Sequence, residues 1–477
     1  MSAAANARWI ALTQVVKILS QLVNMFVLTR LIAPSEYGLM AMAGVATNLA
    51  FVLRDMGTAA AIIQKAEISQ ADTSSVFWLN MAGGTLLMVA LFATAPLLSA
   101  TFNEPRLTEV LWILSLSFPI AASSTVHQAL LERVSRFRMV AGIESASSLL
   151  SLLIALVLAY RGLGVWSLIA QALLMAACTT VLMWWFSPFR PKALFDREAL
   201  RGVFKFSGSM AGHQLASYLF RNADSFIVGK MLGITVLGNY SLAYKLMLFP
   251  VQNISWVAVR SLFPVMSRRQ DDRAYMAALT LRSLKLVSFI SAPIMFGVAG
   301  VSDLFVDSFL GPKWALVGGI LTFLAMVGYV QVISSIASPV LMALGKSDWL
   351  FRMSMVGTPL HIIAYVAGAW IDGARGLAIA YLVAAIMMAL PGFYLAGKLL
   401  SIRLADFLLS LLPSALSGLA MAVLLQLARK QLPQYSGHLL FAILVGAGIL
   451  FWALMVALFQ RREASEFIQL AFRRLKK

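Results

Sequence analysis

Residues 8–30 read RWIALTQVVKILSQLVNMFVLTR, and residues 203–228 read VFKFSGSMAGHQLASYLFRNADSFIV. Both are long and apolar enough to cross a bilayer as helices, since about 20 residues rising 1.5 Å each cover about 30 Å of hydrocarbon. In each, polar side chains recur at i, i+4, i+8 and i+11, the rhythm of a single helical face. Thr13, Lys17, Gln21 and Asn24 form the first stripe; His213, Ser217, Arg221 and Asp224 form the second, 200 residues later. Polar groups at membrane depth are costly and face a bundle interior or a wet cavity. The pattern predicts an all-α, polytopic membrane protein built as a duplicated bundle, with a polar and net cationic interior suited to an anionic cargo.

The echo extends beyond the stripes. Gly38 matches Gly238, Ala43 matches Ala243 and Arg30 matches Lys230. Six predicted spans separate the copies, so both enter the membrane from the same side as a parallel repeat. The expected division is an N-lobe over 1–186, a cytoplasmic linker over 187–202, a C-lobe over 203–400, two further helices over 401–459, and a basic amphipathic tail over 460–477. Of the proline-bearing spans, the one containing Pro250 is the best hinge candidate because it lies in the repeat. The tail sets Phe467, Ile468, Ala471 and Leu475 on one face among cations, the makeup of an interfacial helix on anionic lipid.

Composition supports the membrane reading. The chain is 60% hydrophobic and 12% charged, against about 25% charged for a soluble domain. About fourteen apolar segments follow one another, those at 236–258 and 315–344 having the least definite limits. No soluble catalytic domain remains, and the chain is not expected to be an enzyme. Lys17 at the centre of the first segment does not suit a signal peptide, which predicts a retained helix. Cys178 is the only cysteine, so no disulfide and no cysteine-based metal site is expected. No cofactor is implied.

The net charge of +18 belongs to topology rather than to nucleic acid. Cations such as Arg133, Arg136, Arg190, Arg268, Arg269 and Arg273 crowd alternate loops, whereas most loops between hold one, such as Arg106, Lys230 or Arg375. This is the positive-inside bias and predicts cytoplasmic N- and C-termini.

The candidate site residues are cations and their neighbours. Lys17 lies about 13 Å along its helix from Arg8, near the bilayer midplane. Arg221 and Asp224 stand at i, i+3 and either neutralise one another or offer a ligand surface. Lys245 shares a helix face with Ser241 and Gln252, and Arg54 ends the second helix. Guanidinium and ammonium groups bind phosphate through charge-assisted hydrogen bonds. Gln14, Gln21, Asn24, Asn222 and Tyr244 add neutral groups that match sugar hydroxyls, and stripe-facing His213 is either a protonatable switch or a helix–helix hydrogen-bond partner. Asp224 and Glu144 are the candidates for ion coupling. Gly345-Lys346-Ser347 ends like a phosphate loop, but Val340 holds the position of the required earlier glycine, so nucleotide hydrolysis finds no support.

Several stretches resemble a known family. LTRLIAPSEYGLMAMA at 28–43, DMGT at 55–58, NADSFIVGKMLG at 222–233, LGNYSLAYKL at 237–246 and RSLFPVMSR at 260–268 are similar to Wzx-type polysaccharide flippases. These belong to the multidrug/oligosaccharidyl-lipid/polysaccharide exporter superfamily, and the colanic-acid or exopolysaccharide exporters are the nearest branch. The resemblance implies two six-helix lobes in a V-shaped, MATE-like arrangement, plus two helices. It also implies alternating access that carries an undecaprenyl-diphosphate-linked oligosaccharide across a bacterial inner membrane, alongside a polysaccharide polymerase and a chain-length regulator. Lys17, Arg221 and Lys245 are the positions available to meet the pyrophosphate. A lipid II flippase and a multidrug antiporter are the alternatives within the superfamily. The cations weigh against the second, which needs unpaired acids. A membrane glycan polymerase or ligase needs a large outer loop, and the predicted outer loops are short.

Overall fold

The computed structural model describes residues 16, 18–54, 58, 62, 63, 67–194, 222–432 and 437–473. Among them the chain is helical throughout, with no strand. In order, the helices are α1 (Ile18–Leu31), α2 (Pro34–Arg54), α3 (Gln70–Phe102), α4 (Arg106–Arg133), α5 (Phe137–Tyr160), α6 (Val165–Phe186) and α7 (Ala223–Leu232). They continue with α8 (Ile234–Arg268), α9 (Arg273–Leu310) and α10 (Pro312–Ala343). Ser347–Leu400 is one stretch broken by non-helical backbone at Asp372 and Gly373, giving α11 (347–371) and α12 (374–400). Helices α13 (Leu404–Gln431), α14 (His438–Phe459) and α15 (Arg461–Arg473) complete the order. Ten of the described helices are long and apolar enough to span a membrane, the Ser347–Leu400 stretch entering as one. This is a multi-pass membrane protein.

Local chemistry sets the boundaries. Ser69 and Asp72 form a reciprocal capping box at the start of α3, satisfying two of the N–H groups that a helix start leaves open. Asn103 closes α3 in the left-handed conformation, and Gly373 turns the chain between α11 and α12 with φ of +54°. Two spans run longer than their apolar cores suggest. Helix α8 begins two residues before 236 and continues ten past 258, and α10 begins at Pro312. Polar ends extend helices past the hydrocarbon, where hydropathy no longer signals them.

The chain divides into two compact units, Met1–Gly238 and Asn239–Lys477. In the first, α3 packs on α4, and α5 on α6. In the second, α9 packs on α10 and α13, and Trp314 at the start of α10 is fully buried. Two polar pairs lie within this unit: the Ser288 hydroxyl is 2.8 Å from that of Tyr329, and Gln331 donates to the Tyr381 hydroxyl at 2.7 Å. On α14, Leu439, Ile443, Leu450, Leu454 and Leu458 are all more than half exposed. A surface this apolar is stable against lipid and not against water. Buried Gln460, just after α14, accepts from Ser414 and donates to Ser417, pinning the helix end to α13. Beyond it α15 docks on α9 through Arg282–Glu466 and the Phe289–Phe467 rings.

Candidate functional site

The motif at 28–43 builds a compact rim in the first unit. Asn24–Leu28 is a π-helical turn, Ile32 is extended, and Pro34 opens α2. In the first turn of α2, Glu36 binds Arg106 in bidentate fashion, with Nη1 at 2.8 Å and Nη2 at 3.0 Å from its carboxylate oxygens. The backbone N–H of Val165 donates to the same carboxylate at 2.8 Å. Arg106 opens α4 and Val165 opens α6, so a single carboxylate ties three helix starts together. The Arg106 hydrogen bonds hold the Glu36 carboxyl below its ordinary range. Gly164 has φ of +55°, and a Cβ there would sit 2.7 Å from the Glu36 carboxylate, so glycine is required twice over.

The repeat also makes a contact of its own. A Cβ on Gly38 would fall 1.8 Å from the carbonyl oxygen of Ile234, and one on Gly238 would fall 1.8 Å from that of Pro34. Gly38 corresponds to Gly238 and Pro34 to Ile234, each 200 residues apart. The start of α2 and the first turn of α8 therefore cross with matching backbones touching, a closeness that only hydrogen in place of a side chain allows. Nearby, the Lys230 ammonium donates to the Thr101 carbonyl and Phe226 meets Phe102 edge-on, joining α7 to the end of α3. Arg106 and Lys230, expected as simple loop charges, each hold a defined partner.

The candidate residues are dispersed along the chain. Lys17, His213 and Arg221 lie outside the described residues. Gln21 is exposed on α1, and half-buried Asn24 donates to Gln171 of α6 at 3.0 Å. Gln171 escaped the sequence reading, although it is the only amide in its apolar segment, a detectable signal. Arg54 is the last residue of α2, and Glu144 is half-buried in α5. Asp224 is buried, and its carboxylate accepts from the Ser225 N–H at 2.6 Å, in the first turn of α7 where the helix dipole favours an anion. These residues belong to the first unit. In the second, Lys245 and Gln252 are exposed and Ser241 half-exposed along α8, and α8 continues through Pro250. The described residues contain no group of three or more side chains placed to hold a metal ion.

The described part of the predicted linker is fixed to the first unit. Gln70 and Trp78 of α3 donate to the carbonyls of Arg190 and Lys192 at 2.8 and 2.9 Å. The Lys192 N–H donates to Ser74 at 3.1 Å. Beside this docking, His127 is fully buried among the rings of Trp184, Phe189 and Phe77. Aromatic packing accounts for it.

With this geometry in place, likeness to known proteins is informative. The family model "Polysaccharide biosynthesis protein" matches residues 27–318. The chain is 29% identical over 416 residues to the lipopolysaccharide biosynthesis protein WzxC of Escherichia coli, covering 86% of this chain and 85% of that one. It is 26% identical over 388 residues to the succinoglycan biosynthesis transport protein ExoT of Rhizobium meliloti, covering 81% and 78%. Among solved structures, the lipid II flippase MurJ in an inward closed conformation superposes with a TM-score of 0.75 at 16% identity, covering 95% of this chain and 99% of that one. That last likeness concerns the fold.

Proposed function

The chain belongs to the polysaccharide biosynthesis protein family, and from that membership we propose that it is a flippase for lipid-linked oligosaccharides. Its cargo is an undecaprenyl-diphosphate-linked repeat unit, moved from the cytoplasmic to the periplasmic leaflet for polysaccharide export. The observation that carries the reading is the family match over residues 27–318, which takes in Gly38 and Gly238 of the repeat, on a multi-pass helical chain. The relatives' names, lipopolysaccharide and succinoglycan biosynthesis, support glycan cargo over drugs.

The chemistry of such cargo dictates what the protein must supply. A diphosphate cannot enter hydrocarbon bare, because unpaired buried charge costs many kcal/mol. Lys17, Arg221 and Lys245 are assigned to the phosphates, with Arg54 at the mouth of the path. Gln21 and Asn24 are assigned to sugar hydroxyls, and His213 to the substrate-facing stripe as a protonatable group. The exposure of Lys245, Ser241 and Gln252 along one stretch of α8 supports that assignment. Outward movement of two negative charges from a negative interior is favoured by about 2.3 kcal/mol per charge at 100 mV. Asp224 and Glu144 are the positions for any coupling to protons or sodium, and Pro250 for bending. The 1–186, 187–202 and 203–400 division is retained as the plan of two moving lobes, with 401–459 and the tail 460–477 appended. The protein is placed in a bacterial inner membrane with both termini cytoplasmic, beside a polysaccharide polymerase and a chain-length regulator, and performs no covalent chemistry.

The decisive experiment profiles polyprenyl-linked glycans in cells lacking the protein and scores their leaflet. Undecaprenyl-diphosphate repeat units accumulating on the cytoplasmic side is the expected result. An unchanged lipid profile with heightened sensitivity to cationic dyes would overturn it. Lys17→Ala and Arg221→Ala should abolish export at normal membrane abundance; normal export by both removes the phosphate assignment.

A further inference from the structure

A second polar feature lies wholly within the second unit, and none of the residues assigned above lines it. A cavity of about 710 Å³ opens between the ends of α9, α10, α13 and α14, within the range of small-molecule sites. The charge bias assigns this end of the helices to the outside. Asp303 and Asp307 reach it from α9, Arg429 and Lys430 from α13, and Arg375 from the start of α12. Its floor holds Gly319, where an added Cβ would meet nothing within 4 Å.

The charges are only partly used. Arg429 donates from Nη2 to Asp307 at 2.7 Å, while its Nη1 is buried with no hydrogen-bond partner among the described residues. That nitrogen is covered by protein, so Arg429 serves as the partner of Asp307, and the exposed cations of the cavity are Arg375 and Lys430. The Arg375 guanidinium lies over the Phe323 ring, 5.7 Å from its centroid, which orients it while leaving its N–H edge unspent. Gln426 spends its amide N–H on the Ala299 carbonyl at 3.2 Å, so its carbonyl oxygen remains an acceptor. Asp307 itself sits in a π-helical turn, Val306–Leu310. Such turns interrupt a helix at an energetic cost and recur at functional sites.

We propose that this cavity binds an acidic saccharide. The three cations exceed the two carboxylates by one, which disfavours an organic cation. Yet a site for phosphate alone has no use for Asp303 beside it, since two anions repel. A sugar acid uses both signs: its carboxylate meets Arg375 and Lys430, and its hydroxyls donate to Asp303 and Gln426. The site rests on this cavity, and the choice of a saccharide among hydroxylated acids rests on the glycan reading above.

The test uses the full chain in phosphatidylcholine nanodiscs, titrated calorimetrically with a glucuronate-containing disaccharide and with its neutral glucose counterpart. The acidic sugar should bind at least about tenfold more tightly, the scale of one charge-assisted hydrogen bond. Arg375→Gln and Lys430→Gln, both at the cavity's edge, should each lose about tenfold. Gly319→Leu should abolish binding by filling the floor while the thermal midpoint is kept. Absent binding, equal binding of the two sugars, or undiminished binding by both charge variants overturns the proposal. So does a phosphatidylglycerol molecule retained in native mass spectrometry and lost in Lys430→Gln without any saccharide binding, which assigns the cavity to a lipid head group.

Discussion

Glu36 and Asp307 have the same chemistry and opposite fates. Each is a carboxylate near a helix end, met by an arginine from another helix. Glu36 takes both Arg106 nitrogens and the Val165 N–H, and Gly164 leaves no room for anything more. Asp307 takes one Arg429 nitrogen and keeps half of its side chain exposed on a cavity of about 710 Å³. A filled coordination shell ties elements together, whereas an unfilled one is a place for something else to bind. The difference is one of geometry, since residue types alone make the two pairs equivalent.

The largest effects should fall on the closed side, where backbones touch. Gly38→Val or Gly238→Val would drive a side chain into a carbonyl at 1.8 Å with no flexible group to yield. Each should cost about 3 kcal/mol or more, read as loss of folded protein in membranes and a lowered thermal midpoint in detergent. Equal abundance of either variant with wild type would mean that the rim is not closed. Next in size, Glu36→Ala orphans the Arg106 guanidinium and the Val165 N–H and should cost about 1–3 kcal/mol. Gly164→Ala should resemble it, by straining a backbone at φ of +55° and crowding the same carboxylate.

These sites also mark how far the sequence was readable. The all-α membrane class follows from apolar length, because a helix is the only open-ended way to satisfy backbone groups in lipid. The repeat was legible in Gly38 and Gly238, but not that the two glycines touch, because spacing along the chain carries no information on crossing distance. Asn24 was legible as a polar group at depth, whereas its partner Gln171 lies 147 residues away on a helix without a stripe. Glu36 passed as a motif letter, and Arg106 and Arg375 as topology charges. An ion pair between distant helix ends leaves no periodic trace. Where helices extend past the hydrocarbon, as α8 does to Arg268, hydropathy falls silent before the helix stops.

The open side should respond more weakly. Asp307→Asn removes a pair whose side chains are 51% and 32% exposed, so stability should shift by no more than about 1 kcal/mol. A loss as large as that of Glu36→Ala would show that Asp307 is as structural as Glu36 and erase the contrast.

The smallest effect is the dependence on acid. Because Arg106 lowers the Glu36 carboxyl in the folded chain, folding there binds fewer protons than the unfolded state does. The stabilisation is therefore complete above the unfolded glutamate value of about 4.3 and is lost as pH falls through the lower folded value. Arg106 stays charged throughout, so the change belongs to the carboxyl alone. Thermal midpoints of the purified chain, followed downward from about pH 5, should fall for wild type and fall less steeply for Glu36→Gln, which has no proton to gain. Asp307→Asn should keep the wild-type slope, since Glu36 is intact in that variant. Parallel curves for wild type and Glu36→Gln would show that acid acts elsewhere. A flattened curve for Asp307→Asn instead would place the acid-sensitive pair on the open side.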